Sequence, residues 1–103
     1  MDQRRIKLQQ ELEGILGTRN VYFQPPASKQ LVYPCIKYSR DTVDAYFADD
    51  RTYRAVPRYE ITVIDKDPDS QIYKEILEHF NKIVYNRSFR YDNLNHDVLL
   101  LYY

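Results

Sequence analysis

Apolar positions return at helical spacing near the start of the chain. Leu8, Leu12, Ile15 and Leu16 fall at i, i+4, i+7 and i+8, with Gln9, Gln10, Glu11 and Glu13 between them. The spacing predicts a helix over residues 2–16, closed by Gly17, where a positive φ is often required. Gly14 weakens the last turn by about 1 kcal/mol. It marks either a close packing contact or a frayed end. Residues 20–24 predict a short strand stopped by Pro25 and Pro26. Residues 27–30 read as a polar loop, and residues 31–39 as a strand carrying Val32, Tyr33, Cys35, Ile36 and Tyr38. Pro34 removes one ladder donor there, which means an edge position, a bulge, or a strand that starts at Cys35.

Residues 41–56 alternate on two arms. They predict a hairpin with 42–47 outgoing, Asp49 and Asp50 in a turn over 48–51, and 52–56 returning. The alternative is a long mobile loop that orders only against a neighbour. Residues 58–64, Arg-Tyr-Glu-Ile-Thr-Val-Ile, form the clearest strand pattern. Asp67-Pro68-Asp69-Ser70 then predicts a helix start: Asp67 as cap, Pro68 at the first helical position, and Asp69 at the positive end of the dipole. That helix spans 68–81, with Ile72, Ile76, Leu77 and Phe80 as its buried stripe and Tyr73 at the margin. A strand over 83–90, a polar turn over 92–97 and a terminal apolar strand over 98–103 complete the pattern. The terminal strand should be paired and partly buried. Strands joined by short connections favour antiparallel pairing. The expected fold is α+β: one domain over residues 1–103, with a mainly antiparallel sheet of four to five strands and two helices packed on one face.

Composition sharpens this picture in three ways. The 103 residues include 11 Tyr and 4 Phe but no Trp. Strand-rich domains collect Tyr, and so do interfaces. Fifteen basic and fifteen acidic residues cancel, which argues against a protein living mainly by phosphate contacts and permits self-association. The single cysteine, Cys35, precludes an internal disulfide or a cysteine-based zinc site and reads as a buried, inert thiol. Met1-Asp2-Gln3-Arg4-Arg5 is followed by no apolar run, so neither a secretion signal nor a membrane span is expected.

No constellation carries catalysis. His79 reads as a helix-surface residue and His96 as a turn residue, and neither has a convergent set of ligands. Asp65, Asp67 and Asp69 resemble the start of a calcium loop but lack its glycine, and Ile76 stands where its final Glu would be. Asp41, Asp44, Asp49 and Asp50 have no fixed geometry for a nuclease metal. Ser28, Ser39, Ser70 and Ser88 carry no nucleophile motif, and two glycines cannot make a phosphate loop. Arg51, Arg54 and Arg58, with Arg87 and Arg90 flanking Phe89, interleave with aromatics. Such a pattern suits single-stranded nucleic acid or, given the charge balance, solvated faces and subunit contacts.

Several segments together resemble small tail-completion proteins of the tail-terminator class of long-tailed bacteriophages and prophages. They are residues 20–26 (Asn-Val-Tyr-Phe-Gln-Pro-Pro), 31–38 (Leu-Val-Tyr-Pro-Cys-Ile-Lys-Tyr), 58–70, the 92–97 segment Asp-Asn-Leu-Asn-His-Asp, and Tyr102-Tyr103. The likeness spans nearly the whole chain apart from the 41–56 hairpin. It implies an α+β subunit without catalytic residues, cofactor or metal. Six copies would form a ring at the head-proximal end of the tail tube, ending tube growth and offering a docking surface to the head-tail connector or stopper. The implied partners are other copies of the chain, the tail tube protein and the connector. DNA would be met only as it passes through the lumen, and no membrane is involved. The implied location is the tail and neck of the virion, after synthesis in the bacterial cytoplasm. The expected subunit contacts are Tyr46, Phe47, Asp49, Asp50, Arg51, Tyr53 and Arg54 on the hairpin, with Tyr102 and Tyr103 at the C-terminus. A head-side connector or stopper is the alternative within this class. A nucleic-acid-binding or host-directed regulatory module is the alternative outside it.

Overall fold

The computed structural model describes residues 3–48 and 51–103, with side chains described outside residues 44–54. The order is α1 (Gln3–Leu16), β1 (Val21–Phe23), β2 (Cys35–Ala48), β3 (Arg51–Asp65), α2 (Ile72–His79), β4 (Ile83–Tyr91) and β5 (Leu94–Tyr102). These strands form a five-stranded sheet in the order β1-β2-β3-β5-β4. The expected α+β class, strand number and helix placement hold.

One sheet face is built by alternation. Ile36 and Tyr38 on β2, Tyr59, Ile61 and Val63 on β3, and Leu99 and Leu101 on β5 all point into one buried cluster. Leu8 and Leu12 of α1 and Ile76 of α2 close it from the helix side, so both helices cover the same face. Each fully buried leucine contributes about 2 kcal/mol of transfer free energy. Ile15, Leu16, Ile72, Leu77 and Phe80 pack at the margin of the cluster, as their stripes predict. Gly17 adopts φ +81, and Gly14 has open space where a side chain would sit, so it is not a close packing contact.

The structure corrects several boundaries. β1 pairs with β2 in parallel, not antiparallel, because residues 24–34 form a crossover rather than a tight turn. Of the readings open for Pro34, the strand that starts at Cys35 is the one found, after the cis Tyr33–Pro34 peptide. Its two expected halves are one continuous strand, kinked by a bulge between Arg40 and Thr42. β3 likewise runs unbroken through Pro57. Pro57 pairs with Val43 on one side, and β5 reaches β3 only from Arg58 onward, so the missing N–H falls at an edge. β2 and β3 therefore form a two-stranded arm that outruns the body, within overall dimensions of 51 × 25 × 23 Å.

α2 starts four residues later than Asp67-Pro68 predicts. Asp65 Oδ1 accepts from the Asp67 amide at 3.1 Å, Asp67 Oδ1 accepts from the Asp69 amide at 2.9 Å, and Asp67 O accepts from the Ser70 amide. The aspartates thus hold a local turn instead of capping the helix. Gln71 occupies the cap position without a side-chain capping bond, its side-chain amide donating to Asp69 O instead, and Phe80, at φ −102 and ψ 153, ends the helix before Asn81. The expected six-residue polar turn is only Asp92 and Asn93, both left-handed at φ 55 and 60. That geometry suits a two-residue hairpin turn. β5 consequently begins at Leu94, and His96 is a buried strand residue, not a turn residue.

Candidate assembly surfaces

The two expected C-terminal contact residues sit at the junction of α1, α2 and the arm. Tyr103 donates its hydroxyl to Glu11 Oε2 at 2.5 Å, and its ring meets Phe80 edge-on at 6.0 Å. Its amide donates to Pro57 O, and Arg4 lies over its ring at 5.7 Å. His79 Nε2 lies 3.2 Å from the other Glu11 oxygen. Burial pushes the Glu11 carboxyl up, but the bonds to Tyr103 and His79 outweigh it and hold the group below its ordinary value. Burial and the neighbouring carboxylate push the Tyr103 hydroxyl up to about 12. Tyr103 therefore anchors the C-terminus to both helices and presents little free surface. Tyr102 is half-buried, with Arg58 over its ring at 6.0 Å and its amide bonded to Lys82 O. An open recess of about 560 Å³ lies beside them, with Arg4, Lys7 and Lys82 on its walls.

The other expected contact residues belong to the arm. Tyr46 and Phe47 lie on β2, and Arg51, Tyr53 and Arg54 on β3; their side chains lie outside the described residues, as do Asp49 and Asp50 entirely. At the arm's base Arg58 Nε donates to Asp41 Oδ2 at 2.7 Å, an exposed pair that contributes at most about 1 kcal/mol. Val43 is exposed beside it.

A further exposed surface is β4, where the sequence pattern places Arg87 and Arg90 around Phe89 on a solvated or contact face. It is the outermost strand of the sheet, with β5 on one side and no strand on the other among the described residues. Every residue from 84 to 91 is exposed, including Val84, Tyr85, Phe89 and Tyr91. A bulge at Asn86 offsets the strand by one residue, so Tyr85 pairs with Leu99 and Arg87 with Val98. That offset sends Tyr85 to the helix side, where its hydroxyl donates to Asp97 Oδ1 at 2.6 Å and its ring meets Tyr73 edge-on. Val84, Arg87 and Phe89 share the opposite face. There Phe89 stacks on His96 at 4.5 Å between ring centroids, and Arg87 lies over Phe89 at 5.5 Å. His96 Nδ1 lies 3.1 Å from Leu94 O. The stack gives a buried histidine an apolar neighbour and a backbone partner, which is a packing role. The available signal was in the sequence of β4, whose apolar residues fall on both parities, as in a strand with a bulge.

Cys35 is buried, and burial pushes its thiol up to about 11, the direction of an inert thiol. Among the described residues no three His, Cys, Asp or Glu side chains converge as metal ligands, and no helix is long and apolar enough to cross a membrane. No family model, curated protein or solved structure matches the chain.

Proposed function

We propose that this chain is a structural subunit of virion assembly. Copies of it close into a ring, six in number, on the head-proximal end of a phage tail tube, end tube growth and present the docking surface for the head connector. One observation carries the reading: a small helix-backed sheet extends a two-stranded arm from one end and exposes residues 84–91 of its outermost strand, β4. A ring needs two different self-surfaces on one subunit, and these are two different surfaces. The resemblance of residues 20–26, 31–38, 58–70 and 92–97 to tail-completion proteins supplies the context. The partners on this reading are further copies of the chain, the tube protein and the connector, with DNA passing only through the lumen. The site of action is the neck of the virion.

The test is light scattering coupled to size exclusion, with the purified chain alone and with tail tubes. A discrete species near six subunits, alone or on the tube end, is the expected result. A chain that stays monomeric and leaves tubes unbound overturns the reading. Deleting residues 46–53 should abolish tail joining while the subunit stays folded, and normal joining by that variant would remove the arm from the mechanism.

A further inference from the structure

The sheet narrows and loses its regular ladder at one level. β1 makes its last pair with β2 at Tyr38, and β5 makes its last pair with β3 at Arg58. Beyond the Tyr103 amide, which donates to Pro57 O, β2 and β3 run on with no third strand among the described residues. The β2 bulge falls at this same level, between Arg40 and Thr42. A bulge carries an unpaired residue and bends its strand. Among the described residues the buried cluster extends on β2 to Tyr38 and on β3 to Tyr59, and no further toward the arm. On the helix side, Ala55 and Val56 of the arm form one wall of the open recess of about 560 Å³, which leaves room for the arm to turn.

One side chain spans this junction. Arg58 sits on the middle strand of the last three-stranded row, opposite Thr42 on β2 and Tyr102 on β5. Its Nε donates to Asp41 Oδ2 at 2.7 Å, and its guanidinium lies over the Tyr102 ring at 6.0 Å. Asp41 is the extra residue of the bulge, so this bond ties the unpaired residue of β2 across to β3, and the ring contact ties β3 to β5.

We infer that residues 40–42 of β2 and 56–58 of β3 form a hinge between body and arm, and that Arg58 is the positioning residue that latches it. A solvent-accessible ion pair shifts a two-state balance by no more than about fivefold. The hinge is therefore biased rather than locked. Its latched direction predominates, and other directions are reached without breaking the buried cluster or the arm's own ladder. Fixing the arm's direction in advance removes part of the ordering cost of any contact it makes. The hinge is a property of the single chain and does not depend on what the arm meets.

Spin-label distances on the full chain test it. From Arg58 to Thr52 the strand rises about 20 Å, so a turn of about 20° at the hinge moves a label at Thr52 by about 7 Å. Labels on Thr52→Cys and Lys74→Cys report the arm against α2, and labels on Thr52→Cys and Val43→Cys report the arm alone; native Cys35 is fully buried. At low ionic strength the arm–body pair should give one predominant distance. Arg58→Gln, or Asp41→Asn as an independent variant, should lower its share relative to other distances about three- to fivefold. The arm-only distance and the melting temperature should stay close to wild type. Salt at 1 M, where the screening length falls to about 3 Å, should act on the wild type in the same way. Exchanging the charges, Asp41→Arg with Arg58→Asp, should return the predominant distance, which a residue that only packs would not do. An arm–body distribution indifferent to Arg58→Gln, Asp41→Asn and salt would overturn the latch. Broadening of the arm-only distance in these variants would show a ribbon that opens instead of turning, and would overturn the hinge.

Discussion

At the scale of single residues, the Glu11–Tyr103 bond links the first helix to the last residue of the chain. Tyr103→Phe should cost about 1–1.5 kcal/mol, the low end for a hydrogen bond to a charged group, because Glu11 is partly exposed. Chemical denaturation would measure it. The pH dependence has two arms. Glu11 is held below its ordinary value of 4.5, so its contribution is present above that pH and is lost as pH falls through the lower, folded value. Tyr103 is raised from 10 to about 12, so its contribution is complete below pH 10 and is lost as pH climbs toward 12. Glu11→Gln should flatten the acid arm, and Tyr103→Phe the alkaline arm, in stability measured across pH. An acid arm that survives in Glu11→Gln would mean that other carboxylates carry it. None of this was legible in the sequence. Glu11 occupies a polar position of an amphipathic helix, and only the folded chain brings residue 103 to it.

At the scale of elements, periodicity was a good guide wherever packing decides the outcome. Leu8 and Leu12 are fully buried, as their spacing predicts, so Leu12→Ala should cost about 2–5 kcal/mol, whereas Val84→Ala on the exposed edge should stay within about 0.5 kcal/mol. Equal costs would contradict the burial difference. Periodicity failed where a turn competes with a longer element. Asp65 and Asp67 accept from the amides of Asp67 and Asp69, so the cap expected at Asp67 is a local turn and the helix starts beyond it. Similarly, the polar run over 92–97 hides a strand, because only Asp92 and Asn93 turn the chain. Since Asn93 is left-handed, Asn93→Val should cost about 1–2 kcal/mol, while Asn93→Gly should be neutral or stabilising. Melting temperatures of the two variants check this, and equal losses would argue against the left-handed turn.

At the scale of the whole molecule, the division between body and arm is what the sequence expressed least. The hairpin was visible as two alternating arms, but not its fusion with the flanking strands, because Pro57 and the Asp41 bulge both read as interruptions. The sheet tolerates each of them: Pro57 just beyond the last β3–β5 pair, where its carbonyl still accepts from the Tyr103 amide, and the bulge as one extra residue in the ladder. Among the described residues the buried cluster contains none between 39 and 58. A two-stranded ribbon by itself is marginal in water. In the unassembled chain, the amides of Thr42, Val43 and Val56 should therefore exchange with solvent much faster than those of Ile61 and Val63, which lie in the centre of the sheet. The separation should be at least a hundredfold, since local opening needs far less free energy than global unfolding. Slow exchange in the arm of the monomer would show that the ribbon is already stable alone.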